Sequence, residues 1–357
     1  MIVAPSSPRA CVFAISADYE RRTGGWVYDQ RLMRELRDRG WTIRDLVLPA
    51  GFPSPDDRAR AQAANMLAAL PEGTLVIIDQ LCLGVMPDVA RDQAHRLRIV
   101  MIVHHPLSSE AGISADQYRE RMSSEREALR HVALAIVTSH TTARDLRGNF
   151  DVGEDRIVVA VPGVDEQPVA TGSHGKPLLL SVGAVVPRKD HGVLISALAD
   201  LTHLPWHLNI VGNVTRAPDH VLAVRSLIAR YGLSDRVTLC GEYADAVLDR
   251  AWRDTDLYVA ASLHEGFGMA ISEAIARGIP VVATAAGAVS EWLDPSAAIL
   301  VEPGNVTELR DALSRALSNP ALRARLRQGA LDACRHLPRW QETAAKVDDA
   351  LTCLVAD

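Results

Sequence analysis

The sequence is poor in aromatics, with four Phe, six Trp and six Tyr amounting to 4% of 357 residues. Its five cysteines are odd in number and include no CxxC pair, which excludes a disulfide-stapled scaffold and reads as reduced thiols in a reducing compartment. No stretch approaches the ~20 apolar residues of a membrane span. The start, MIVAPSSPRACVFAIS, lacks a basic region followed by a long apolar one, so the expected location is cytoplasmic. There is no excess of positive charge: 38 Lys+Arg stand against 44 Asp+Glu, a net charge of −6. Neither half is a basic module of the kind that neutralises phosphate backbones, which disfavours nucleic acid as the main partner. Lysine itself is nearly missing. Only Lys176, Lys189 and Lys346 occur, against 35 arginines.

What is present is a rhythm. Short apolar runs alternate with amphipathic segments along the whole chain. The first half carries runs at 12–16, 42–48, 74–79, 98–103, 134–139 and 156–161, and the second at 177–184, 207–212, 236–241, 257–262, 280–284 and 298–301. They are apolar on both faces, as strands must be when helices cover both sides of a parallel sheet. In 26–39, Tyr28, Leu32 and Leu36 recur every four residues before Gly40, which predicts a helix and its stop. Six runs plus six predict an α/β protein with two doubly wound sheets. The Gly- and Pro-rich stretch 161–177 marks a boundary, giving domains at 1–165 and 166–337. The segment 338–357 is a terminal helix expected to pack back on the first domain. Two such sheets facing a central cleft bind ligands at the carboxyl ends of their strands.

The most informative segment is SLHEGFGMAISEAIARGIPVVAT at 262–284. It parses as strand end, glycine-bearing loop, helix, stop at Gly278, and strand. Gly266 and Gly268 let the backbone turn and aim amide N–H groups from a helix start, where about half a positive charge suits a phosphate. Glu265 before that helix and Glu273 within it are placed to accept hydrogen bonds from sugar or ribose hydroxyls; for Glu273, a solvated helix face is the competing explanation. In LLLSVGAVVPRKDHGVLISAL at 178–198, Arg188-Lys189 sit at a strand–helix junction, where adjacent cations clamp a diphosphate. A lysine kept amid such arginine bias suggests that a compact point charge is wanted.

The first half is less explicit. Gly24-Gly25 stand between the first strand and the first helix, and His104-His105 end the fourth strand. Either imidazole is suited to bond a sugar or an acceptor, or simply to cap a turn. Two other signals are read as structural. Asp254-Thr255-Asp256 matches a metal-binding DxD, yet it falls where a helix ends and a strand begins. The segment 117–131 is rich in charge, but its signs alternate, which predicts a solvated helix rather than a membrane-docking one.

Taken together, these residues resemble the family 4 retaining glycosyltransferases, which have the GT-B fold of two Rossmann-like domains. HEGFGMAISEA, with Glu265 and Glu273 in E-x7-E spacing, is similar to that family's donor motif. SVGAVVPRKDHGVLISAL resembles its phosphate-binding segment, and GAVSE at 287–291 its later glycine-and-acid loop. The resemblance implies metal-independent transfer of a sugar from a nucleotide diphosphate donor to a small-molecule or glycan acceptor, with retention at the anomeric carbon and no further cofactor. It implies that Lys189, with Arg188 beside it, holds the diphosphate. Gly266, Phe267, Gly268 and Met269 would line the donor loop, Glu265 would bind the transferred sugar, and Glu273 the ribose. His104 matches a strand-end histidine near the sugar, and Gly24-Gly25 approach the phosphates. One departure stands out: Ala184 occupies a place where the family usually has arginine, which leaves Arg188 as the charge able to stand in for it. A sugar-nucleotide epimerase of the same two-lobed architecture is the alternative, and a two-lobed solute-binding protein the non-enzymatic one.

Overall fold

The computed structural model describes residues 9–20, 23–173 and 175–356. The first eight residues, on which the leader reading partly rests, lie outside that set. The chain divides into two compact units, Met1–Gly163 with Pro338–Asp357, and Val164–Leu337.

The sheet of the first unit has six parallel strands: β1 (Ala10–Ser16), β2 (Thr42–Leu48), β3 (Leu75–Asp79), β4 (Arg98–Val103), β5 (Leu134–Val137) and β6 (Ile157–Val159), in the order β2-β1-β3-β4-β5-β6. Strands β1, β3 and β5 are buried along their whole length, as is β4 beyond its first residue. Strand β2 departs from the expected pattern, because it lies at the sheet edge and exposes Arg44 and Asp45. The first helix, Gly24–Asp38, begins where the Thr23 hydroxyl accepts from the Trp26 amide. Its four-residue apolar rhythm buries Tyr28, Leu32 and Leu36 completely. The C-terminal helix, Trp340–Ala356, belongs to this unit. Thr343 Oγ1 donates to the Val161 carbonyl (2.7 Å), Trp41 Nε1 to Asp348 (2.8 Å), and the Trp340 and Tyr28 rings meet at 5.7 Å.

The charged helix Ala115–Arg130 opens with a capping box between Ser114 and Gln117. Most of it is solvated, but Glu125 is not. That residue shares the inner face with Ala128 and Leu129, is fully buried, and accepts from the Leu107 amide at 2.8 Å. Burial outweighs that bond and the nearby Arg121, pushing its carboxyl up to about 8. The folded chain therefore binds this proton more tightly than the unfolded chain, so Glu125 lowers stability as pH rises through about 4.5 to 8. We expect Glu125→Gln to flatten the decline of Tm over pH 5–8; a decline as steep as in the parent would contradict this protonation state.

The second sheet comprises β7 (Leu178–Val182), β8 (His207–Val211), β9 (Val237–Gly241), β10 (Leu257–Ala260), β11 (Val281–Thr284) and β12 (Ala298–Val301), all parallel, in the order β12-β11-β10-β7-β8-β9. Asp254-Thr255-Asp256 plays the structural part expected of it. Asp256 accepts from the Leu178 amide (2.8 Å) and the Ser173 hydroxyl (2.5 Å), tying the incoming chain to β7, and Thr255 Oγ1 closes the preceding helix on the Ala251 carbonyl. Each strand order reverses direction once, between β1 and β3 in the first unit and between β7 and β10 in the second. In open α/β sheets, the carboxyl ends beside such a reversal are where ligands bind.

Candidate active site

The reversal in the second unit brings two of the sequence segments into contact. After β7 the chain makes a short turn at Pro187–Lys189 and enters the helix His191–Ala199, capped by the Asp190 side chain. After β10 it passes through Glu265 to the helix Met269–Ala276, whose N-cap Gly268 has φ 94°. Lys189 Nζ lies 2.5 Å from Glu265 Oε1, and Arg188 Nη1 lies 3.5 Å from Oε2 and donates to the His264 carbonyl at 2.8 Å. Backbone bonds fasten the same loops, with Leu263 N donating to the Arg188 carbonyl and Ala288 N to the Glu265 carbonyl. The aliphatic stem of Lys189 runs over Gly183, where a Cβ would stand 3.0 Å from Cε.

Glu265 is nearly buried, at 8% exposure, and its ionisation is decided by its neighbours. Burial acts to raise its pKa. The charges of Lys189 and Arg188, with bonds from Lys189 and the Ser262 hydroxyl (2.7 Å), outweigh burial and hold the carboxyl down at about 2. Oε1 thus receives two donors at short range, while Oε2 has only the longer Arg188 contact among these, leaving acceptor capacity for a hydroxyl. Ser262 is itself held from behind, its carbonyl accepting from Thr284 Oγ1 at 2.6 Å. Ser262 and Thr284 were missed by sequence reasoning; small hydroxyl residues at strand ends carry no distinguishing spacing.

Phe267 lies in the same loop, between Glu265 and the helix Met269–Ala276. The Phe267 ring stacks on Trp292 (5.0 Å, 14°), whose Nε1 donates to the Phe267 carbonyl at 2.8 Å, so the loop is braced by the GAVSE segment's helix. Glu273 lies in the helix after the loop, half-buried. Burial raises its pKa, Asp165 and Asp249 act in the same sense, and Arg277 opposes them. Glu265 and Glu273 both raise the pKa of the buried Tyr258 phenol, after burial itself, so both act on one group at the end of this sheet. His191 was also missed: burial, then Lys189 and His220, press its pKa down to about 3, leaving it neutral beside the cations.

In the first unit, His104 follows β4 and His105 turns away from it. His105 Nε2 is 3.4 Å from Glu110, and its carbonyl accepts from Gln80. His104 Nε2 lies 3.3 Å from Asp29 Oδ1, and its ring meets Tyr28 edge-on at 5.4 Å. Gly25 packs flat against this imidazole, since a Cβ there would stand 3.0 Å from Cδ2 and 3.1 Å from Nε2. The Gly24-Gly25 pair opens the first helix, and its second glycine makes room for His104. Asp29 and Asp79 are new here. Asp29, Asp79 and His104 hold their side-chain nitrogen and oxygen atoms within 4.8 Å of one another, and both carboxyl groups act to raise the pKa of the imidazole.

Residues 164–332 match the family model for glycosyl transferases group 1. The chain is a glycosyltransferase. It is 28% identical over 316 residues to the MMP alpha-(1->4)-mannosyltransferase of Mycolicibacterium hassiacum, spanning 83% of this chain and 74% of that one. It is 30% identical over 249 residues to the D-inositol 3-phosphate glycosyltransferase of Xylanimonas cellulosilytica, spanning 64% of this chain and 59% of the relative. Among solved structures, a sucrose-phosphate synthase from Thermosynechococcus elongatus shares the fold of this glycosyltransferase with a TM-score of 0.83 at 19% identity, covering 98% of this chain and 99% of that one. Anabaena Alr3699/HepE, solved with UDP and glucose, does so with a TM-score of 0.76 at 20% identity, covering 97% and 100%. These last two are likenesses of fold, and the fold is GT-B. No helix among the described residues is long and apolar enough to cross a membrane.

Proposed function

We propose that this glycosyltransferase moves a sugar from a nucleotide diphosphate donor to an acceptor hydroxyl with retention at the anomeric carbon, using no metal ion and no cofactor besides the donor. The contact between Lys189, Arg188 and Glu265 at the β7/β10 reversal, beside the Gly268-capped helix, carries the reading. Breaking a glycosyl–phosphate bond builds negative charge on the leaving diphosphate. Cations and amides fixed in advance around those oxygens lower that barrier, each such donor contributing about 2.7–4 kcal/mol. Lys189 and Arg188 supply the cations, and the Gly266–Met269 loop supplies amides at a positive helix end. Arg188, turned onto the His264–Glu265 stretch, takes over the charge that Ala184 lacks.

Glu265 has two tasks in this reading. It holds Lys189 in place, and it offers Oε2 to a hydroxyl of the transferred sugar. Glu273 accepts from the ribose, and His104, with Gly24-Gly25 behind it, is the first unit's contribution to binding the sugar. The acceptor is a small molecule or glycan recognised by the first unit; the mannosyl and inositol-phosphate activities named for the two relatives make a phosphorylated or sugar-like polyol the first class to try. The epimerase alternative gains nothing from the comparisons.

Thermal-shift measurement against UDP-glucose, UDP-N-acetylglucosamine, GDP-mannose and ADP-glucose tests the donor class. A sugar nucleotide at about 100 times its Kd should stabilise the chain by about 2.7 kcal/mol, without added divalent ion and with EDTA present. Stabilisation that appears only when Mg²⁺ or Mn²⁺ is supplied would refute the metal-independent reading.

A further inference from the structure

Two carboxylates lie behind His104, and both are fully enclosed. Asp29, on the first helix, has no exposed surface, and Asp79, the last residue of β3, is 2% exposed. Burying an ionised carboxylate costs several kcal/mol unless it is paired. Two enclosed carboxyl groups at the β1/β3 reversal are not required by packing, and such groups concentrate at functional sites. Their placement is also built. Asp79 accepts from the Leu81 amide (2.6 Å) as the N-cap of the next turn, and Asp29 lies one residue beyond Tyr28, whose hydroxyl is pinned to the Ala160 carbonyl at 2.7 Å. The His104 carbonyl accepts from Thr138 Oγ1 at 2.9 Å, so its backbone is held as well.

We propose that Asp29 and Asp79 are positioning residues for the transfer reaction: together with the bare face of Gly25 they fix the His104 ring in one orientation, balance its positive charge from behind, and leave Nδ1 for the substrate. Asp29 occupies the Nε2 edge, and Gly25 covers the Cδ2–Nε2 side. The groups facing His104 are Asp29 and Tyr28 from the first helix, Asp79 from the end of β3, and the Thr138 hydroxyl from the end of β5. Burial alone would lower the imidazole pKa. The charge and bond of Asp29, with the charge of Asp79, reverse that and raise it. Asp79 is itself pushed up to about 7, by burial first and then by Asp29. A histidine held cationic in this way offers a charge-assisted donor to a sugar hydroxyl or phosphate oxygen, about twice as strong as a neutral one.

The proposal rests on the reading of His104 as a sugar-binding residue, and its test separates the two. The chain has twelve histidines, and the His104 signal is the one lost from ¹⁵N-histidine spectra of His104→Asn. In the full chain we expect that signal to titrate above the ordinary histidine range, and at least one pH unit lower in Asp29→Asn. Nucleoside diphosphate release is then followed with whichever of the four sugar nucleotides stabilises the chain most. Asp29→Asn should lower kcat/KM at least tenfold at pH 8, and the deficit should shrink as pH falls and protons charge the imidazole without Asp29. Gly25→Ala, a substitution the helix tolerates, should lower kcat/KM at least tenfold with Tm within a few degrees of the parent, because its methyl displaces the ring. An unchanged His104 titration in Asp29→Asn overturns the proposal, as does a loss equal at every pH. Full turnover in His104→Asn overturns the role itself, whereas full turnover in Lys189→Ala strikes the donor-site reading and leaves the His104 titration to be judged separately.

Discussion

Replacing Lys189 with alanine is expected to lower kcat/KM by about 10²–10³, the loss of about 2.7–4 kcal/mol that follows removal of one fixed donor to a developing negative charge. Lys189 Nζ lies against Glu265 in the resting protein, so the variant also strands a nearly buried carboxylate with Arg188 and Ser262 for company. Its pKa then rises from about 2 and part of the stability that the ion pair supplies is lost. The linkage has a definite sign. A carboxyl held below its usual value contributes stability above about pH 4.5 that disappears as pH falls toward 2. Glu265→Gln keeps the shape and removes the charge, and it should cost at least tenfold in kcat/KM through loss of both the hydroxyl acceptor and the anchor of Lys189. Because the two residues touch, their effects should not add. The double variant should be little worse than the worse single. Rates near the parent in both single variants would refute the site.

The second large effect concerns the backbone under that site. Gly212 directly follows β8 with φ 153°, and a Cβ there would stand 2.0 Å from the Gly183 carbonyl oxygen and 2.3 Å from its carbon. Gly183 in turn makes room for Lys189 and donates its amide to Val211. The chain segments leaving these two neighbouring parallel strands approach here at a distance that no side chain permits. Gly212→Ala should therefore destabilise the second unit by about 2–5 kcal/mol, overpacking and backbone strain combined. Thermal unfolding checks this, with Gly232→Ala as its control. Gly232 also has positive φ (65°), but nothing stands within 4 Å of its Cβ position, so only the ~1–2 kcal/mol of strain applies there. Equal Tm values for the two variants would show that the Gly183 and Gly212 backbones leave room for a side chain.

The contrast between those glycines also indicates what a sequence can carry. Helix ends and strands leave local marks, such as the four-residue recurrence of Tyr28, Leu32 and Leu36 or the apolar run of β4, because backbone hydrogen bonding and side-chain direction act over a few residues. Glu125 shows where the marks mislead. Among alternating charges it looks solvated, yet the helix turns it inward beside Leu129, and only the packing of that helix on its unit reveals this. Asp29 is a similar case, an acid one position from a core tyrosine, with no sign of the histidine 75 residues on that it faces.

From the amino-acid order alone came the α/β class, the twelve strand segments, and the glycine-and-acid loop at 265–273, all properties of short windows. The strand order belonged to the tertiary structure. It set β7 beside β10, and so laid Lys189 on Glu265 across 76 residues. It also set β3 and β4 side by side next to the first helix, which enclosed Asp29 and Asp79 behind His104. Charges separated by that much chain meet only when burial of the sheet faces chooses one arrangement of strands, and that choice is a property of the whole core rather than of any segment within it.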